Sequence, residues 1–80
     1  MKIRVLFFAG LREIFGPHRV VEAADGLSVA ELVGQLTASS EEFASKAWPL
    51  VYAVSETFET PDKKLADGDH LAVMMPLSGG

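Results

Sequence analysis

Residues 2–8 alternate. Ile3, Val5 and Phe7 fall on one side of an extended segment, and Lys2, Arg4, Leu6 and Phe8 on the other. The two cations mark the second side as the wetter one, so the run predicts a half-buried strand. Leu11, Ile14 and Phe15 switch to helical spacing, and Gly16-Pro17 stops that short helix. Arg19–Ala23 reads as a second strand. The clearest local signal follows in Leu27-Ser28-Val29-Ala30-Glu31-Leu32. Ser28 three residues before Glu31 is a capping box, and Leu27 is placed to staple to Leu32. Val29, Leu32, Val33 and Leu36 then recur at helical spacing, which predicts an amphipathic helix over Val29–Ala38. A weaker helical stretch covers Ser40–Ala47, with Phe43, Ala47 and Trp48 inward, and Pro49 ends it. Leu50–Ser55 is rich in β-branched and aromatic residues and predicts a strand, with Glu56–Glu59 as a short strand paired to it. Thr60-Pro61-Asp62 and Asp67-Gly68 are turn signals. The second leads into a last strand, Leu71–Met75, with Leu71, Val73 and Met75 on one side and Ala72 and Met74 on the other.

One main helix against one face of a small mixed sheet is an α+β arrangement. Eighty residues make one domain. We read residues 1–75 as the folded body and 76–80 as an extended tail. An apolar fraction of 49% supplies a core and argues against disorder. The net charge of −4, with no basic run, argues against a nucleic-acid partner. The chain lacks cysteine, so neither a disulfide nor a thiol nucleophile is available. No apolar stretch has the length of a membrane span, and the N-terminal residues enter a strand without a cleavable leader pattern. The cytoplasm is the expected compartment.

Candidate chemistry is sparse. His18 and His70 lie far apart, each beside a predicted strand, and neither has a metal-ligand partner at useful spacing, so no metal site is expected. Glu41-Glu42 suits a helix N-terminus, and Asp67-Gly68-Asp69 suits a turn. No phosphate-binding loop is present, and no bound cofactor is expected. There remains the end of the chain. Met75–Gly80 cannot easily extend a helix and spans roughly 20 Å when extended. It reads either as a frayed terminus or as an arm whose one ionised group, the Gly80 carboxylate, is reactive. A carboxylate must be activated before it reacts, for example as an acyl-adenylate, and a partner would have to do so with ATP. Glycine suits that role because its acyl carbon is open to attack, while Leu77, Ser78 and Gly79 would lie along a narrow channel. Strand parity singles out Phe8, Met74 and Phe58 as apolar residues on the wetter face. They either form a docking patch or fill a satellite cluster under the short helices.

Three stretches carry a resemblance. Val5-Leu6-Phe7-Phe8-Ala9 is followed by Leu11-Arg12-Glu13 and Gly16; Tyr52-Ala53-Val54-Ser55 stands at the centre. Leu65-Ala66-Asp67-Gly68-Asp69-His70-Leu71-Ala72 then precedes Pro76-Leu77-Ser78-Gly79-Gly80. Across its whole length the chain resembles the small, sulfur-carrying subunits of molybdopterin synthase, which have the ubiquitin-like β-grasp fold. It departs from their pattern in having Ser55 where Asn is common and Met75-Pro76 where two prolines are common. It also lacks the aromatic residues usual near Met74.

The resemblance implies that the chain is not an enzyme by itself but the sulfur-donor subunit of a sulfurtransferase complex. A ubiquitin-activating-like enzyme would adenylate the Gly80 carboxylate. A sulfur donor would convert it to a thiocarboxylate. Insertion of Leu77–Gly80 into the synthase large subunit would then deliver sulfur to cyclic pyranopterin monophosphate. It also implies neighbouring first and last strands, which would bring Phe8 near Met74, and an assembly of two small and two large subunits. The alternatives are a sulfur carrier for thiamine or another pathway, a ubiquitin-like protein modifier, or a β-grasp adaptor with no reactive terminus.

Overall fold

The computed structural model describes residues 1–46 and 50–75. Its elements are β1 (Lys2–Phe7), α1 (Gly10–Phe15), β2 (His18–Glu22), α2 (Val29–Ser39), α3 (Glu41–Lys46), β3 (Val51–Val54), β4 (Thr57–Glu59) and β5 (His70–Met74). The five strands form one sheet in the order β2-β1-β5-β3-β4. β1 and β5 run parallel, and every other pair is antiparallel. The fold is α+β, a ubiquitin-like β-grasp, and its first and last strands are neighbours as the resemblance implied.

The alternation in β1 decides which face is covered. Ile3, Val5 and Phe7 are buried and meet Leu71 and Val73 of β5, Val54 of β3, and Val29, Leu32, Val33 and Leu36 of α2. Phe15 stacks on Phe7 with ring centroids 4.7 Å apart, and Phe43 meets Phe15 edge-on at 5.2 Å. Those two contacts tie α1 and α3 to the sheet.

The predicted start of α2 is present in full. The Ser28 hydroxyl accepts from the Glu31 N–H at 3.2 Å, and the Glu31 carboxylate accepts from the Ser28 N–H at 3.1 Å. A return loop satisfies the other first-turn donors: the Val29 N–H donates to the Lys63 carbonyl and the Ala30 N–H to the Pro61 carbonyl. No donor in that turn is left without a partner. Leu27 is half-buried against the core at the same end. Ala47, Trp48 and Pro49, expected to close α3, lie outside the described residues.

The stretch 50–59 departs from expectation. Ser55 and Glu56 are not strand residues. They form a two-residue turn between Val54 and Thr57, which face each other in the ladder. Both have positive φ, 46° and 74°, the signature of a type I′ hairpin. That turn normally takes Asn-Gly or Asp-Gly, so Ser-Glu carries no turn signal in a sequence.

Candidate functional site: the open face of the sheet

Residues directly opposite each other in a ladder point to the same side, so register converts strand parity into rows across the sheet. The helices cover one face. On the other, Leu6, Ala72, Ala53 and Phe58 make one row, since Leu6 faces Ala72, Ala72 faces Ala53, and Ala53 faces Phe58. Met74 faces Val51 in the next row, and the parallel register that pairs Phe7 with Val73 carries Phe8 toward Met74. Arg4, His70 and Ser55 lie in a third row, with the Ser55 N–H donating to the His70 carbonyl at 2.8 Å. The open face therefore grades from a polar end, at Arg4, His70 and Ser55, to an apolar end, at Phe8, Met74 and Val51.

Phe8 is 45% exposed, Phe58 is 72% exposed, and Met74 is half-buried. None of them belongs to the packed core. They do not touch as one cluster. Phe58 lies on the far side of β3 from Met74, and the small residues Ala72 and Ala53 form the floor between. A shallow depression of about 670 Å³ follows that floor, bordered by Leu6 and Phe8 at one end and by Ser55, Glu56 and His70 at the other. Reasoning from parity found Phe8, Met74 and Phe58. It also set Ala72 beside Met74, but missed Ala53 and Val51, because their alignment depends on inter-strand register, which is not written in any one strand.

β5 runs from His70 at the polar end to Met74 at the apolar end, and Met75 is the last residue described before the chain continues to Gly80. The apolar end of the face is therefore the end from which the tail departs. Pro76, Leu77, Ser78, Gly79 and Gly80, the expected tail and reactive terminus, lie outside the described residues.

The other candidate groups have structural roles. The Asp67 carboxylate accepts from the Lys2 N–H at 2.7 Å, and the Asp69 carboxylate accepts from the Ala66 N–H at 2.8 Å, so both brace the turn into β5. Gly68 takes φ 85° in that turn, a conformation glycine adopts without a Cβ penalty. Glu41 and Glu42 occupy the first turn of α3. His18 and His70 are exposed at the starts of β2 and β5. Among the described residues, no group of three or more His, Cys, Asp or Glu is placed to hold a metal ion, and no helix is long and apolar enough to cross a membrane. Tyr52 lies on the covered face, where burial pushes its hydroxyl pKa up.

The model of the ThiS family matches residues 5–80. The chain belongs to the ThiS family. Within this family, it is similar end to end to two proteins named molybdopterin synthase sulfur carrier subunit. That of Chlamydomonas reinhardtii is 36% identical over 83 aligned positions, covering all of both chains. That of Escherichia coli K12 is 38% identical over 80, covering 98% of this chain and 99% of the relative. Among solved structures, a Pyrococcus furiosus protein described as molybdopterin converting factor subunit 1 superposes with a TM-score of 0.86. It is 24% identical and covers 96% of this chain and 99% of its own. At that identity the likeness speaks for the fold.

Proposed function

We propose that this protein is the sulfur carrier of a molybdopterin synthase and that Gly80 is its working group. The observation that carries the reading is the end-to-end similarity, at 36–38% identity, to two proteins of that name. A ubiquitin-activating-like enzyme supplies ATP. One oxygen of the Gly80 carboxylate attacks the α-phosphate and pyrophosphate leaves. Hydrosulfide, or its equivalent delivered by a sulfur donor, then attacks the acyl carbon and displaces AMP, which takes that oxygen with it, leaving a thiocarboxylate. In the synthase, the sulfur attacks cyclic pyranopterin monophosphate, and water then attacks the acyl carbon, so that the C–S bond breaks, the sulfur stays on the pterin and the carboxylate is restored for another round. The carrier binds no cofactor of its own, and the large subunit contributes the acids and bases.

The chain's own part is presentation. Phe8, Met74 and Phe58, with the Leu6–Ala72–Ala53 floor, would dock on the partner. That surface lies at the root of the tail, so docking there would point Leu77–Gly80 at a nearby active site. Apolar surface centred on exposed aromatic residues is what drives specific association.

Intact mass of the protein purified from its own cells tests the reading. The expected result is a species heavier by one oxygen-to-sulfur exchange, located on the C-terminal peptide, together with co-purification of a synthase large subunit. Absence of the heavier species when the activating enzyme is present would overturn it.

A further inference from the structure

β2 forms one edge of the sheet, with only β1 beside it. Its backbone groups alternate between the ladder and the outside. The Met1 nitrogen donates to the Ala23 carbonyl at 2.8 Å and the Ala23 N–H to the Met1 carbonyl at 2.9 Å, while the Phe7 N–H donates to the Pro17 carbonyl at 3.1 Å. Those two positions set the phase of the antiparallel ladder. Arg19 and Val21 therefore bond to β1, and the N–H and C=O groups of His18, Val20 and Glu22 face outward. No bond from them to another described residue is found outside the β1–β2 ladder. At the middle of this open edge sits Val20, which is 54% exposed. An open edge is a template for strand addition, usually blunted by charge. Here the charges are arranged so that they do not repel a second copy.

We propose that β2 pairs antiparallel with β2 of a second copy of this chain, about a two-fold axis through Val20. In that register Val20 faces Val20 of the partner subunit, and each His18 faces a Glu22 across the axis. All three outward residues of each strand form hydrogen-bonded pairs. Their side chains share the open face, because Val20, His18 and Glu22 stand opposite Arg4, Leu6 and Lys2 of β1. Each Glu22 carboxylate then lies between its own Lys2 and an imidazole of the other copy, which can donate to it. Apolar Val20 meets its own kind at the centre. A slip of two residues either way sets Val20 against a charged or imidazole side chain and leaves an outward residue unmatched, so one register is preferred. On the covered face Arg19, held over the Phe15 ring at 5.2 Å, meets Val21 of the other copy with no like charge opposed. The pairing leaves the row of Phe8 and Met74 free, so a self-paired carrier keeps that surface open.

The interface is small, and a dissociation constant on the order of 10⁻⁴ M is expected. Sedimentation equilibrium of the full chain from about 10 µM to about 1 mM should show a monomer–dimer transition. Over the same series the amides of His18, Val20 and Glu22 should gain hydrogen-exchange protection, while Arg19 and Val21, already bonded to β1, should not change. Val20→Pro removes an outward N–H and no bond to β1, so the fold should persist by circular dichroism while the dimer is lost. His18→Glu, which sets two carboxylates against each other, should also abolish it, and His18→Glu with Glu22→Lys should restore it. A chain that stays monomeric at about 1 mM, or a dimer that survives both single substitutions, overturns the proposal.

Discussion

Ala9 stands between β1 and α1 with φ 52° and ψ −132°, and the Leu11 N–H donates to the Phe8 carbonyl across it at 3.2 Å. This is the first central position of a type II′ turn, where glycine is usual. An alanine there is strained by about 1 kcal/mol or more. Ala9→Gly should therefore raise unfolding stability by about 1 kcal/mol, part of the relief being offset by the greater freedom of glycine in the unfolded chain. Urea unfolding checks it. The exposed aromatics behave in the opposite way. Phe58 touches little of the core, so Phe58→Ala should change stability by less than about 0.5 kcal/mol. If it docks as proposed, the same change should weaken binding to the synthase large subunit by about tenfold or more, as titration calorimetry would show. Phe8 and Met74 were legible as outward residues because parity within one strand is a local property. Ala72 was placed with Met74 by the same parity, but Val51 and Ala53 were not, since their alignment with the face depends on neighbouring strands.

α2 shows how much one element can announce itself. The Ser28–Glu31 box and the Val29–Leu36 stripe both formed where the sequence placed them, because capping and helical periodicity act within a few residues. Hydrogen bonds from Ser28, its backbone N–H first and its hydroxyl next, hold the Glu31 carboxyl below its usual range. A carboxyl whose folded-state pKa is depressed adds stability above its unfolded pKa and loses it as pH falls through the folded value. Stability should thus decline on acidification below about pH 4.5. Glu31→Gln should flatten that part of the curve in a series of urea titrations, and Ser28→Ala should cost about 1 kcal/mol at neutral pH. The β3–β4 hairpin announced itself far less. Two successive residues with positive φ at Ser55 and Glu56 are imposed by the pairing of Val54 with Thr57, against local preference. Ser55→Asn with Glu56→Gly should raise the melting temperature by about 4–8 °C per kcal/mol of relief, with about 1 kcal/mol expected.

At the scale of the molecule, β5 joins the two halves of the sheet. It lies between β1 and β3, and Leu71 and Val73 are buried against both the strands and the helix side. Leu71→Ala should cost about 2–5 kcal/mol, since it would leave a cavity where several elements meet. The tail is expected to contribute chemistry and no stability. Deleting Gly79 and Gly80 should abolish sulfur loading, seen by intact mass, and leave the melting temperature unchanged. Gly80→Ala should slow transfer sharply with the same melting temperature. A clear loss of stability in either variant would mean that the tail packs on the body.

By itself the sequence determined the strand alternation, the capped helix and the absence of a thiol, and it made Gly80 the candidate reactive group. All of these rest on interactions within a few residues or on residue chemistry alone. The tertiary structure decided the order β2-β1-β5-β3-β4, the turn at Ser55-Glu56, and the rows that align Leu6 with Ala72, Ala53 and Phe58. Register between strands distant in sequence is chosen by burying one whole face against α2. That choice is a property of the packed sheet and of no single segment.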